Sequence, residues 1–325
     1  RLTHILNGDS ITVDNWFASD ADKVEQVRFA DGTLWDVNQI RPQSLVGSPG
    51  DDALFGFETN DVITGETGID SIEAGDGDDT VTAGDDNDVV AGGSGHDSLD
   101  GGTGDDRLDG GVGNDTFIGG AGNDALLGGN GGDTYRFDAG FGQDVIIDED
   151  TAASEVGRIA FGPNAAPQDI DRIVFGSTVL PGDVSIRRLD DDLLVQLPGT
   201  DDQITVRDWF LNEEKSHQVE LIQFADGTIW DVDTIKGLAI QGTAGDDILI
   251  GYASADRLDG GFGNDQLIGG EGNDTYLFGP GYGQDTVIDR DITAGNFDRI
   301  TVQAGVLPSD LTFRRGGNDL FLKVN

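Results

Sequence analysis

Apolar residues return every ninth position through the middle of this 325-residue chain. From Gly47 to Arg136 the sequence divides into nine-residue blocks beginning at 47, 56, 65, 74, 83, 92, 101, 110, 119 and 128, with no insertion or deletion. Position eight holds Leu54, Ile63, Ile72, Val81, Val90, Leu99, Leu108, Phe117, Leu126 and Tyr135. Position six is Asp in every block: Asp52, Asp61, Asp70, Asp79, Asp88, Asp97, Asp106, Asp115, Asp124 and Asp133. Glycine concentrates at positions one, two and four. Four further blocks begin at 242, 251, 260 and 269, with Asp247, Asp256, Asp265 and Asp274 followed by Leu249, Leu258, Leu267 and Tyr276. After two extra residues each run ends in a looser block, from Ala139 and from Pro280, which offers Asp144 and Asp285 as last members.

This pattern predicts a coil of very short strands. The glycines permit positive φ and let two backbones approach closely. The x-apolar-x tripeptide after each turn reads as a strand whose middle side chain faces one way. One such unit cannot bury its apolar residue alone, so neighbours must stack. Two blocks then make one turn, with two parallel sheets and a thin aliphatic core. Turns two blocks apart lie one above the other at the strand spacing of about 4.8 Å. That sets Asp above Asp on each edge, where paired carboxylates repel and favour protonation. A hard dication held by oxygen alone resolves the conflict.

Outside the blocks a second pattern repeats. Residues 10–17, SITVDNWF, return as QITVRDWF from Gln203, and VEQVRFADGTLWDVNQI from Val24 returns as VELIQFADGTIWDVDTI from Val219. Alternation in these stretches, with Asp31-Gly32 as a turn signal, predicts strands and hairpins. A third pair relates the 28 residues from Asp171 to the 28 from Asp298. The chain therefore reads as about two periods of a larger array. Pro163 and Pro167 argue against a long helix in the connector, and almost no α-helix is expected.

Composition narrows the chemistry. A formal net charge of −43 excludes nucleic acid, whose binding needs a basic face, and strains a compact state unless cations bind. The absence of Cys removes disulfides, zinc-thiolate sites and thiol nucleophiles. No run is apolar enough to span a bilayer. There is no HExxH zinc motif; the stretch around Ser94 is not a nucleophile elbow, and Gly110–Gly113 lacks the Lys-Ser/Thr of a phosphate loop. His96 falls on a turn, His217 in a polar loop and His4 near the start, and none suggests catalysis. The tryptophans and the Arg187-Arg188 and Arg314-Arg315 pairs read as core anchors and local ion pairs.

The nonapeptide GGxGxDxUx, with U a bulky apolar residue, resembles the repeats of the repeats-in-toxin (RTX, hemolysin-type) calcium-binding family, and the FADGT-W modules resemble its companion hemolysin-type calcium-binding-related segment. The resemblance implies an all-β fold, a parallel β-roll whose blocks alternate with small β-rich capping modules, and multiple Ca²⁺ ions. It implies that each ion takes the carbonyls of positions two and four and the Asp of one turn, with the carbonyls of positions one and three and the Asp two blocks on. Carried over, the sets are Gly75, Gly77, Asp79 with Gly92, Ser94, Asp97, and Gly93, Gly95, Asp97 with Gly110, Val112, Asp115. They continue as Gly102, Gly104, Asp106 with Gly119, Ala121, Asp124, and Gly111, Gly113, Asp115 with Gly128, Asn130, Asp133. The short run gives Thr243, Gly245, Asp247 with Gly260, Phe262, Asp265, and Tyr252, Ser254, Asp256 with Gly269, Glu271, Asp274. Phe57, Thr59, Glu66, Asp86, Tyr252 and Ser254 stand where the repeat has glycine, so distorted or empty turns are expected there.

The expected organisation is a β-rich module over 1–46, a long roll over 47–148, a connector and complete module over 149–241, a short roll over 242–290, and the start of a further module over 291–325. Arg1 is not a natural start, so the chain reads as a segment of a larger protein. The resemblance implies a secreted bacterial protein exported by type I secretion machinery and folded by calcium outside the cell. This segment reads as non-enzymatic and structural or adhesive, with a cell-surface or polysaccharide ligand as a possible partner. The alternative is a carrier module of a secreted lipase, protease or epimerase, or of a pore-forming toxin.

Overall fold

Strands recur every nine residues and pair every eighteen. The structure, a computed structural model, describes residues 2–4, 9–11, 26–148, 170–211, 219–292 and 295–324. In the long roll, Leu54, Ile72, Val90, Leu108, Leu126 and Ile146 face one another across successive parallel pairs of one sheet. Ile63, Val81, Leu99, Phe117 and Tyr135 do the same in the other. All of these side chains are buried. The core is therefore two facing columns of single side chains. Phe117 stacks on Tyr135 with ring centroids 5.1 Å apart.

The strands are longer than the expected tripeptide. Ser98–Thr103 and Arg107–Val112, for example, run from position seven of one block to position three of the next. The glycines extend the ladder because they let chains pair where side chains would collide, as at Gly93 opposite Gly111.

Both sheets continue past the repeats. Ile173 pairs onto Tyr135, and Ile222 onto Ile173. Val206 pairs onto Ile146. A hairpin of Ser185–Leu189 and Asp192–Gln196 then joins the second sheet antiparallel, Val195 opposite Ile204. Among the described residues the sheets reach eight and nine strands in this way. Phe137, Phe141, Phe175, Phe224 and Trp209 are buried where they end, and the Trp209 indole donates to the Val219 carbonyl at 3.0 Å. Of the connector expected at 149–170, all but Ile170 lies outside the described residues, as does His217.

The fold is nearly all-β, but each module ends in a helix that the alternation did not announce. Val232–Ala239 is capped by Asp231, which accepts from the Thr234 N–H at 2.9 Å, and buries Val232, Ile235 and Ala239. Its counterpart Val37–Ile40 starts with a capping box between Asp36 and Gln39. The short roll has two three-stranded sheets around Leu249, Leu258, Leu267 and Tyr276. Beyond it Leu311–Gly316 and Asp319–Val324 form a separate hairpin. Among the described residues no helix is long and apolar enough to cross a membrane.

Candidate metal centre

Positions two and four of the regular blocks sit at positive φ, as at Gly93 (112°), Gly95 (137°), Gly111 (95°) and Gly113 (143°). Position one is crowded in most turns, although Ala74 and Ala83 occupy it, buried, in two blocks. A methyl group on Gly110 would lie 2.4 Å from the Asp115 Oδ2 and 2.9 Å from the Gly128 carbonyl oxygen. A methyl on Gly111 would lie 2.3 Å from the Gly93 carbonyl oxygen. The turn thus gathers carbonyl oxygens and one carboxylate oxygen where side chains have no room.

The aspartates form a ladder. The backbone N–H of Asp97 donates to Oδ1 of Asp115 at 2.8 Å, that of Asp115 to Asp133 at 2.8 Å, and that of Asp106 to Asp124 at 2.9 Å. The same bond runs from Asp52 through Asp144. It continues in the short roll from Asp247 to Asp265, from Asp256 to Asp274 and from Asp265 to Asp285. Each Oδ1 that accepts a ladder bond is satisfied, while the Oδ2 atoms of Asp70, Asp79, Asp88, Asp97, Asp106, Asp115, Asp124, Asp144, Asp265, Asp274 and Asp285 are buried with no hydrogen-bond partner. Burial raises these carboxyls against the opposing pull of the ladder N–H, and neighbouring carboxylates add to the rise: Asp79, Asp88 and Asp106 to about 6, Asp115 to about 7, Asp144 to about 8. A buried acceptor left bare costs stability unless something meets it. An oxygen-only cradle of carbonyls and carboxylates suits Ca²⁺ in charge and hardness.

The opening turns of each roll differ, and position two explains why. Where it is Ser48, Phe57, Thr243 or Tyr252, none of them at positive φ, its N–H turns onto the Oδ2 of Asp52, Asp61, Asp247 or Asp256. The Phe57 and Thr243 bonds are 2.6 Å. These carboxylates are thereby satisfied within the protein. The expected distortion thus appears at 56 and 251 and also at 47 and 242. Glu66 (φ 85°) and Asp86 (φ 79°) instead adopt the left-handed conformation of the glycines they replace, and their turns keep a bare Asp70 and Asp88 Oδ2.

Three ladder members were not legible from the period. The Asp133 N–H donates to Asp171 at 2.6 Å, the Asp171 N–H to Glu220 at 2.9 Å, and the Asp274 N–H to Asp298 at 2.8 Å. Asp133, Asp148 and Asp171, all buried, bring carboxylate oxygens within 4.8 Å of one another. The signal available was the Asp-Arg-Ile that follows each roll at 171 and 298. Outside the turns runs a second ladder at position five: the His96 N–H donates to Asp78, and the Asn114 N–H donates to His96 Nδ1 at 2.8 Å. His96 is exposed and serves the turn.

Residues 43–72, 64–99, 100–135 and 241–276 match the RTX calcium-binding nonapeptide repeat, and residues 2–39 and 192–234 match the Haemolysin-type calcium binding protein related domain. The iron-regulated protein FrpA of Neisseria meningitidis serogroup C is 33% identical over 122 residues, which is 37% of this chain and 10% of that protein. The chain thus spans about a tenth of that relative's length. The extracellular lipase LipA of Serratia marcescens aligns in structure over 79% of this chain and 41% of that one, at 15% identity and a TM-score of 0.19. The chain carries RTX calcium-binding nonapeptide repeats and two haemolysin-type calcium binding protein related domains, and its repeats bind multiple calcium ions.

Proposed function

We propose that this chain is a structural, calcium-folded segment of a larger secreted protein, exported open by type I secretion machinery and coiled outside the cell. The observation that carries this reading is the column of buried Oδ2 atoms without partners. Asp79 through Asp144 bind the main series of ions, each with the carbonyls of positions two and four below and one and three above. In the short roll, Asp247 and Asp256 already accept from Thr243 and Tyr252. The stronger pairs there are Asp265 with Asp285 and Asp274 with Asp298. Bound calcium supplies the positive charge that lets stacked carboxylates stay ionised. At about 1 mM calcium, a site with a Kd of about 0.1 mM contributes about 1.4 kcal/mol, and at submicromolar calcium almost nothing. About six such sites from Asp79 to Asp144 contribute about 8 kcal/mol together, comparable to the usual stability of a domain, so calcium concentration decides between coil and roll. The segment serves a structural or adhesive role, with a cell-surface or polysaccharide ligand as the candidate partner. Titration from chelator into millimolar Ca²⁺, followed by circular dichroism and calorimetry, is expected to show cooperative gain of β-structure with several ions bound. Mg²⁺, which retains its waters in a tight octahedron, is expected to substitute poorly. A full β spectrum in chelator would overturn the reading.

A further inference from the structure

The long roll closes in a turn whose composition departs from the repeats below it. Position one is Gly or Ala in every block from Gly47 to Arg136. Ile147 pairs with Leu127, so the residue above Gly128, at position one of the next turn on that edge, is Asp148. Arg172 pairs with Thr134, so Asp171 stands above Asp133, at position six. Its carboxylate accepts the Asp133 N–H at 2.6 Å, as the ladder aspartates do below. Where two aspartates stack in a repeat turn, three converge here. The carboxylate oxygens of Asp133, Asp148 and Asp171 lie within 4.8 Å of one another, and all three residues are buried.

A phenol points into the same place. Tyr135 is fully buried, and its hydroxyl makes no hydrogen bond of ordinary geometry. A methyl on Gly128 would collide with that hydroxyl and with the Asp133 Oδ2, and would lie 3.1 Å from the Asp148 Oδ1. These three oxygens therefore surround one point. Burial first, then the charges of Asp148, Asp133 and Asp171, hold the phenol well above its ordinary range, so it stays neutral. One turn below, Phe117 reaches the equivalent place: its Cζ would lie 2.7 Å from a methyl on Gly110. A ring without a hydroxyl thus fits the column, and the hydroxyl of the last turn adds an oxygen rather than packing. The same four residues recur at the end of the short roll as Asp274, Tyr276, Asp289 and Asp298. Ile288 pairs with Ile268 and Arg299 with Thr275, so Asp289 stands above Gly269 and Asp298 above Asp274. The Tyr276 hydroxyl is again buried without an ordinary hydrogen bond. This second copy is more open, with Asp289 exposed and Asp298 half-buried.

We propose that Asp133, Asp148, Asp171 and the Tyr135 hydroxyl form a cation site different in kind from the repeat sites, and that a hard cation held there, Ca²⁺ in millimolar calcium, clamps the module to the roll. The inference rests on the calcium-folded reading above and adds a site that the nonapeptide period does not supply. Its ligands come from three segments: the last repeat, the end of Gln143–Ile147 and the start of Arg172–Phe175. Those two strands belong to different sheets, so the ion ties the sheets together where the repeats stop. Without it, three buried carboxylates so close repel one another. Affinity in oxygen sites rises with ligand charge and rigidity. Three carboxylates in a buried setting therefore make this the tightest site of the chain, filled before the repeats. The open copy at Asp274 binds more weakly. A trivalent cation would neutralise the three carboxylates fully, which makes Tb³⁺ a suitable probe.

The test counts calcium on the full chain by equilibrium dialysis and resolves the binding steps by calorimetry. Asp148→Asn with Asp171→Asn keeps the size of both side chains and the ladder acceptor at 171. It is expected to remove one ion from the total and to weaken the tightest step by about tenfold or more, while the repeat ions still bind. Asp201→Asn with Asp319→Asn, at two exposed residues, makes the same change in charge and is expected to alter neither. Tyr135→Phe is expected to keep the count and weaken the tightest step several-fold. It also serves if the double variant fails to fold, since Phe117 shows that the bare ring is accommodated. In Tb³⁺ titrations excited through tyrosine, the first ion bound to the wild type is expected to emit, and Tyr135→Phe to lose most of that first-step emission. An unchanged count and tightest step in the double variant would overturn the proposal. So would first-step emission that survives Tyr135→Phe, or a double variant that keeps its ion count and is only more stable without calcium, as carboxyls that merely share protons would give. Each of these leaves the repeat sites standing, whereas a wild type that binds no calcium would overturn the calcium-folded reading itself.

Discussion

At the scale of a residue, one carboxylate oxygen separates the turns. The Asp115 Oδ2 is buried and bare, whereas the Asp52 Oδ2 accepts from both the backbone and the hydroxyl of Ser48. If Asp115 serves the ion below and the ion above, Asp115→Ala removes ligands from two sites and the acceptor of the Asp97 N–H. The expected loss is about 3 kcal/mol in millimolar calcium, read as a several-fold higher calcium midpoint and a shallower transition. Asp52→Ala is expected to cost about 1 kcal/mol or less; equal effects would refute shared ligation. The raised carboxyls also fix a pH dependence. A carboxyl whose folded value lies above its unfolded value of 3.8 favours the folded state at low pH and loses that contribution as pH rises through the folded value. With Asp79, Asp88 and Asp106 at about 6, Asp115 at about 7 and Asp144 at about 8, the calcium-free roll is expected to gain β-structure on acidification from about pH 8 towards pH 4. Calcium affinity falls over the same range, since protons compete for the ligands. Circular dichroism in chelator and calcium titrations at several pH values check both signs. The repeating aspartates were legible because their spacing never varies. Asp171, Glu220 and Asp298 were not, because the chain reaches the same stack only after 38, 49 and 24 residues.

At the scale of the element, backbone conformation at position two determines what a turn does with its carboxylate. A left-handed residue leaves Oδ2 open; an ordinary one turns its N–H onto it. Thr243 does so with both N–H and hydroxyl, at 2.6 and 2.8 Å. Thr243→Gly removes the hydroxyl and permits positive φ, so it is expected to strengthen a calcium site at Asp247 and lower the calcium midpoint of the short roll. Isothermal titration would show additional or tighter binding; unchanged binding would mean that position two does not govern the site. The reverse change, Gly93→Ala, places a methyl 2.1 Å from the Gly75 carbonyl oxygen at φ 112°. It is expected to cost at least about 2 kcal/mol, measured as a higher calcium midpoint at unchanged final ellipticity. Sequence periodicity announced the strands but understated their length, since pairing through the glycines is a property of two stacked backbones. It also missed Val232–Ala239, whose start is marked by a single Asp cap and whose eight residues hold too few apolar positions to show a helical period.

At the scale of the molecule, the net charge of −43 and the thin core act together on how order spreads. A stacked coil gains stability only at interfaces between neighbours, and no turn can gather ligands from above and below until its neighbours are in place. The first ordered turn is therefore costly, and a ready-made end face lowers that cost. The module after the long roll has such a face. Arg172–Phe175 and Gln203–Val206 pair parallel onto the last two roll strands. Phe137, Phe141 and Phe175 meet with ring centroids 5.0 to 6.4 Å apart, so they cover an apolar column that would otherwise open to water. This end gains stability from ordinary hydrophobic burial without calcium, whereas the opening turns at 47 and 56 depend on stacking above them. The long roll is thus expected to order from its C-terminal end towards Gly47. A truncation ending at Arg136 keeps the ten in-register blocks but loses Gln143–Ile147 and everything that stacks beyond it. It is expected to need several-fold more calcium to fold and to fold with a lower Hill slope. In hydrogen exchange on the intact chain, protection is expected to persist at the lowest calcium in residues 134–147, 172–211 and 219–224, and to be lost first near residues 53–67. If the truncation matches the intact chain in midpoint and cooperativity, or if protection is uniform along the roll, the end face does not template it.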